Sequence, residues 1–334
     1  MLPTKTFNAV KTLLKTSLIA TGVSFALASN VLAAEYSLNL STSLTPNDPS
    51  YQGFEAFKKG VEQATDHHVE IKLFPSGQLG ADNDILQYAQ AGSNVGIIVD
   101  GARLAQFVPQ LGVLTAPFLF PSYASIKKFV GSPVFHQWIG ELPKKANLNV
   151  LSFNWFQGAR MLVTKKPIKS PADLHGVRVR ALEAPMTIKT ISCMGGSPTP
   201  LAWSEIYSSM QTGVVDAAEA QPTAIYGSKL YEISKYITKT RHFYLETGIV
   251  VSHKWFASLP DKYQQILIDQ SEKAGESASQ ATIKIGLKRL AQMQQKGVVI
   301  ESVNTKPFAK ACANVVNQMG LTKAAQDVER VIHS

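Results

Sequence analysis

Cysteine is almost absent from this 334-residue chain, which carries only Cys193 and Cys312. Two thiols are too few for a disulfide framework, and they lack the Cys-x-x-Cys spacing of a redox or zinc site. Two readings stay open for them: a pair formed in an oxidising compartment, or two buried free thiols in apolar helical settings. The chain also has no Gly-x-Ser-x-Gly elbow, no phosphate loop and no His-Glu-x-x-His, absences that weigh against catalysis. Acidic residues are missing before Glu35, whereas Lys5, Lys11 and Lys15 lead into an uncharged run from Thr16 to Ala34. A basic start, an apolar stretch over Leu18 to Leu27 and the small-residue site Val31-Leu32-Ala33 make a secretory signal peptide, residues 1–33, cleaved before Ala34 or, alternatively, just after it. The run sits at the short edge of the roughly 17 to 25 residues a spanning helix needs and is rich in Ser, Thr and Ala, which disfavours a retained anchor. No cysteine lies near the cleavage site, so a lipoprotein is not expected. The expected product is a soluble protein outside the cytoplasm.

Removal of three lysines takes the formal charge from +9 to +6. The remaining basic residues are scattered singly without aromatic interleaving, which excludes a nucleic-acid partner.

What is present is a repeated alternation of strands and helices. Tyr36, Leu38 and Leu40 alternate with polar residues, Phe54, Phe57, Val61 and Ala64 share a helix face, and Val69, Ile71 and Leu73 resume the strand pattern, which gives the unit of a parallel sheet. A helix from Asp82 to Ala91 stops at Gly92, and the apolar run Val95 to Val99 reads as a strand buried on both faces. Asp100 and Arg103 therefore fall just past a strand's carboxyl end, where open α/β sheets bind ligands. The second half repeats this grammar. Ser170-Pro171-Ala172-Asp173 is a capping box, after which Val177 and Val179 face one way and Arg178 and Arg180 the other. From Asp261 to Lys296 no proline occurs, with Ser258-Leu259-Pro260-Asp261 as its opening box, Gly297 as its stop and Ile266, Ile283, Leu287 and Leu290 as its packed positions. A helix of that length is on the order of 54 Å long, more than one lobe. It reads as a brace across two lobes in preference to separate helices broken at Gly275 and Gly286.

Two arginines stand out as an anion clamp, because a guanidinium meets a carboxylate with two parallel hydrogen bonds and keeps its proton. Arg180 is preferred to Arg178 for its place at the strand's end, and Arg160 follows Gly158-Ala159. Trp203 is balanced between core filler and ligand wall. Asp82, Asp100, Glu183, Asp216 and Glu219 show no spacing that selects an acid and base pair. Asp66-His67-His68-Val69-Glu70 has metal-ligand residue types at a helix-to-strand turn, and neither a metal nor a cofactor is expected.

At Phe74-Pro75-Ser76-Gly77-Gln78-Leu79-Gly80, Pro117-Phe118-Leu119-Phe120, Ser170 to Arg180, Ser204-Glu205-Ile206-Tyr207 with Gln211, Gly213-Val214-Val215-Asp216 with Glu219, and Lys229-Leu230-Tyr231-Glu232, the chain resembles the periplasmic solute-binding proteins of tripartite ATP-independent periplasmic (TRAP) transporters, the DctP family. The resemblance covers essentially the whole mature chain. It implies an α/β, two-lobed, type II-like binding protein with parallel and mixed sheets, hinge strands and a long helix spanning both lobes. The expected division is 34–157 with 246–285 for lobe I, and 158–245 with 286–334 for lobe II. It further implies a periplasmic, monomeric receptor that is not an enzyme, takes an organic acid anion and delivers it to a TRAP permease. Arg180 falls on the family's carboxylate-binding arginine and Arg160 on a second that assists. Ser43, Asp82, Asp100, Arg103, Glu183 and Trp203 fall on cleft positions. Where members commonly read Asp-Gly-Gln-Glu-Asn, this chain has Asp216-Ala217-Ala218-Glu219-Ala220. The amide missing at position 220 suggests a ligand with fewer hydroxyls than a nine-carbon sugar acid: a short dicarboxylate, a keto acid or an aromatic acid. A signalling sensor of the same fold and an extracytoplasmic carboxylate-acting enzyme are the rival readings.

Overall fold

Alternating apolar residues become eleven strands among residues 34–334, the part of the chain that this structure, a computed structural model, describes. The expected signal peptide lies outside the described residues. The strands are β1 (Tyr36–Ser41), β2 (Val69–Phe74), β3 (Val95–Asp100), β4 (Leu148–Ala159), β5 (Met161–Thr164), β6 (Arg178–Ala181), β7 (Ser197–Pro200), β8 (Ala217–Ala220), β9 (Tyr236–Lys239), β10 (Tyr244–Ser252) and β11 (Val299–Ser302). One sheet has the order β2-β1-β3-β10-β4 and the other β11-β9-β5-β8-β6-β7. Each sheet belongs to one lobe. In the first, β1 runs parallel to β2 and β3, while β10 is antiparallel to both β3 and β4. In the second, β8 and β6 are parallel and β5 is antiparallel to β8 and β9. Both sheets are mixed, and the apolar runs that form β3 and β10 are buried along nearly their whole length.

The chain crosses between the sheets at Arg160, which separates β4 from β5, and at Thr240–Phe243, which separates β9 from β10. The two crossings are tied together by the Arg160 backbone N–H, which donates to the Phe243 carbonyl at 2.9 Å. Gly158, at the first crossing, has φ 124°, a region open to glycine and strained for other residues.

A single helix, Asp261–Gln295, runs past both sheets without a break at either glycine. Its packed face differs from the expected one. Leu290 is buried, but Ile283 is 40% and Leu287 69% exposed, and the buried stripe is instead Ser271, Ala274, Gly275, Ala278, Ser279 and Thr282. Small residues let the helix lie close on the edge strand β4, whose outward groups need partners. Ser279 Oγ accepts from the Phe156 N–H at 2.7 Å and donates to the Asn154 carbonyl at 2.8 Å, while the Ser271 and Ser152 hydroxyls meet at 2.6 Å. Any Cβ at Gly275 would collide with Asn154 and Trp155. The expected box at Ser258 does not form either, since its hydroxyl donates to the Trp255 carbonyl and the helix starts after Pro260 without a side-chain cap.

Cys193 and Cys312 are disulfide-bonded, which settles the question left open by composition. The bond ties the helix Pro185–Cys193 of the second lobe to the helix Lys306–Cys312. The final helix, Thr322–His333, lies within the segment expected in lobe II, yet it packs on Tyr123–Val130 and Pro109–Thr115 beside the first sheet. Its buried residues Ala324 and Val328 join a core continuous with Phe129, Leu111 and Leu114.

Candidate functional site

The carboxyl ends of β3, β6 and β8 and the crossing at Arg160 converge on a small cavity of about 40 Å³, lined from the first lobe by Ser43, Asp82, Asp100 and Arg103 and from the second by Arg180 and Trp203. Arg160 lines it as well. Seven of the eight expected residues thus meet at one place. Glu183 is the exception: half-buried and absent from the cavity wall, its carboxylate accepts from Asn83 Nδ2 at 3.4 Å and links the lobes at the rim.

Arg180 occupies the third position of the short strand β6 with its side chain fully buried. Its Nε donates to the Leu201 carbonyl at 2.9 Å, its guanidinium lies 5.2 Å from the centroid of the Trp203 ring, and Nη1 stands 3.6 Å from Glu219 Oε1. Neither Nη1 nor Nη2 has a hydrogen-bond partner among the described residues. Burial, with Arg160 and Arg103 nearby and only Glu219 as a strong counterweight, pushes its pKa down to about 10. It still carries its charge at neutral pH. Two residues earlier on the same strand, Arg178 is exposed and paired with Asp216 through Nη2 at 2.8 Å and Nε at 2.9 Å.

Arg160 is buried but fully engaged. Its Nε meets Glu219 Oε2, one Nη meets Gln221 Oε1, and Nη2 donates to the Glu219 carbonyl at 2.7 Å. Behind this cluster His242 is fully buried, its Nδ1 2.8 Å from the Thr240 hydroxyl and its Nε2 4.0 Å from Glu219 Oε2. Burial first, then the charge of Arg160, holds the imidazole pKa down at about 3, so it is neutral.

The first-lobe wall is also ionic. Asp100 caps the short helix Gly101–Leu104 by accepting the Arg103 N–H at 3.0 Å, and its other oxygen lies 2.5 Å from Arg103 Nη1. Arg103 Nη2 lies 3.4 Å from Asp82, and Nε donates to Asn83 Oδ1 at 3.2 Å. Burial works against this charge, but Asp100, Asp82 and Glu183 outweigh it and raise the Arg103 pKa. Ser43 donates to Asp82 at 3.3 Å.

Two glutamines went unnoticed in the sequence. Gln157 and Gln221 both line the cavity, and Gln221 Nε2 donates to Gln157 Oε1 at 3.1 Å. Gln221 follows Ala220 directly, so the side-chain amide that position 220 lacks is supplied one residue later. A polar residue just past the end of β8 was the available signal. Among the described residues no three His, Cys, Asp or Glu side chains are grouped to hold a metal ion. No helix there is long and apolar enough to cross a membrane.

The family model of bacterial extracellular solute-binding proteins, family 7 (DctP), matches residues 40–323. The chain belongs to this family. The family-7 chain is 27% identical over 307 residues to the 2,3-diketo-L-gulonate-binding periplasmic protein YiaO of Escherichia coli, covering 91% of this chain and 92% of that one. A TRAP periplasmic solute-binding protein from Escherichia fergusonii in an apo open form is 60% identical, covers 89% of this chain and 99% of its own, and superposes with a TM-score of 0.78. One from Ochrobacterium anthropi with bound L-fuconate is only 29% identical, covers 90% and 100%, and superposes better, at 0.86. The less similar but ligand-bound protein thus superposes better than the more similar open one.

Proposed function

We propose that this protein is the periplasmic receptor of a TRAP transporter, and that it encloses a polyhydroxylated monocarboxylate, a sugar acid of about six carbons, on Arg180 and hands it unchanged to a membrane permease. One observation carries the reading: Arg180 presents two buried, unpartnered Nη groups to a cleft between lobes. Leaving buried donors unmade is costly, and a carboxylate would satisfy both at once.

The remaining charges narrow the guest. Arg160 and Arg103 are held by carboxylates, and Arg180, though 3.6 Å from Glu219, keeps both Nη groups without a hydrogen bond, which leaves one cation with donors to spare and hence one carboxylate to hold. A second carboxylate at the far end would face Asp82 and Asp100, whereas hydroxyls could donate to them. Gln157, Gln221 and Ser43 add further partners. The hydroxyl-poor ligand inferred from Ala220 therefore gives way to a hydroxyl-rich one. The bound L-fuconate of the Ochrobacterium protein and the diketogulonate of the Escherichia coli relative's name are acids of this kind. Micromolar affinity corresponds to about −8 kcal/mol, of which two charge-assisted bonds of about 1.5 to 3 kcal/mol each supply a large part. Contacts from both lobes favour the closed form, whose shape a permease can recognise.

A thermal-shift screen of hexonates, uronates, succinate and benzoate tests the proposal, because a ligand at 100 times its Kd stabilises the native state by about 2.7 kcal/mol. The expected result is a clear rise in Tm with a sugar acid that is recovered intact afterwards. Stronger stabilisation by succinate or benzoate, or conversion of the acid, would overturn it.

A further inference from the structure

On the other side of the hinge strands lies a second concavity that the cleft does not use. It is a groove of about 300 Å³ whose walls come from both crossings, at Gly158–Ala159 and at Lys239, Arg241 and Tyr244, and whose floor is the long helix at Thr282 and Gly286. Its surface is mostly apolar. Ile283 and Leu287, two of the few large apolar side chains left exposed among the described residues, form one lip. Tyr123 and Phe156, stacked with centroids 4.0 Å apart, form the opposite wall.

Three observations distinguish this groove from an idle surface dent. At one end stand Lys239 and Arg241, for which no salt bridge within 4.0 Å is found among the described residues. At the floor, the Thr282 hydroxyl is buried, with the residue 3% exposed, and has no hydrogen-bond partner among the described residues. Finally, Gly286 sits inside a helix, where glycine is disfavoured, yet packing does not demand it: a Cβ there would meet nothing within 4 Å, unlike one at Gly275. The space above Gly286 is kept open where a larger residue would fit.

We propose that this groove is a second binding site, for an amphipathic anion with an apolar body and a single carboxylate, the charge held by Lys239 and Arg241 and the body laid along Ile283, Leu287 and Phe156. Gln157 lines both the groove and the cleft. The groove is formed by both segments that cross between the sheets, and it is open in the arrangement of the lobes seen here. An occupant stabilises that arrangement and raises the affinity for an acid in the cleft, a coupling that linkage makes reciprocal. Only this coupling rests on the receptor reading; the site itself does not.

Octanoate is a suitable probe, titrated by ligand-observed NMR into the wild-type protein and into Arg180→Ala, which removes the cleft's own carboxylate partner. Saturable binding to both is expected, with at least a tenfold loss on adding Gly286→Phe, which plugs the floor, and on adding Arg241→Glu. Leu287→Asp, at an exposed position, should give the same loss and keeps the test valid if the plugged variant fails to fold. Binding that disappears with Arg180→Ala alone, or that ignores all three groove substitutions, would overturn the site while leaving the cleft reading intact. A sugar acid that still binds Arg180→Ala while octanoate behaves as expected would do the reverse.

Discussion

The two walls of the cleft carry similar charge but use it differently. On the first-lobe wall Arg103 is held by Asp100, Asp82 and Asn83, and every arm of its guanidinium is engaged with its own protein. On the second-lobe wall Arg180 gives one bond to a carbonyl and keeps two donors unspent. Charge alone therefore does not distinguish the two arginines; an unspent hydrogen-bond donor does. Arg103 is spent on its own wall, whereas Arg180 has the donors that the proposed guest would use, and the energetic consequences of deleting them should differ in kind.

Arg180→Ala is the largest expected effect on binding. Loss of two charge-assisted bonds of about 1.5 to 3 kcal/mol each predicts a drop in affinity of roughly a hundredfold or more by isothermal titration. Arg178→Ala, two residues away, should change affinity less than twofold, because its exposed pair with Asp216 contributes little. Equal losses would erase the distinction between the two positions. Arg103→Ala should act mainly on folding, since it strands Asp100 and Asp82 in a buried site; a cost of about 3 to 5 kcal/mol in denaturant unfolding is expected.

A further effect concerns pH. His242 is neutral in the folded protein down to about pH 3, whereas the unfolded chain binds a proton near pH 6.5. Nothing is lost above pH 6.5; below it the unfolded state takes up the proton first, so His242 increasingly destabilises the fold as the pH falls towards 3, by about 1.4 kcal/mol per pH unit. His242→Gln should flatten this part of the Tm curve. Buried Glu246 acts in the opposite range: burial raises its pKa well above the ordinary value, so Glu246→Gln should raise Tm at neutral pH.

Much of this was legible in the chain itself. Period-two alternation located β1 and β2, a continuous apolar run located β3, and the position of Arg180 near a strand's end placed it in the cavity wall. The packed face of the long helix was not legible, because a hydrophobic stripe was sought where Ser271, Gly275 and Ser279 instead satisfy and approach an edge strand. Nor were Gln157 and Gln221, whose role depends on two distant segments meeting. The sequence placed both Arg103 and Arg180 near a strand's carboxyl end but not what each would pair with. Only their partners, brought from other elements by the fold, separate them.

A crystal structure of the protein with a hexonate would test the central claim most directly. The account predicts the carboxylate bridging Nη1 and Nη2 of Arg180 at about 2.7 to 2.9 Å, with hydroxyls towards Asp82 and Asp100. A carboxylate bound to Arg103, or one left in solvent while Arg180 stays unpartnered, would contradict it.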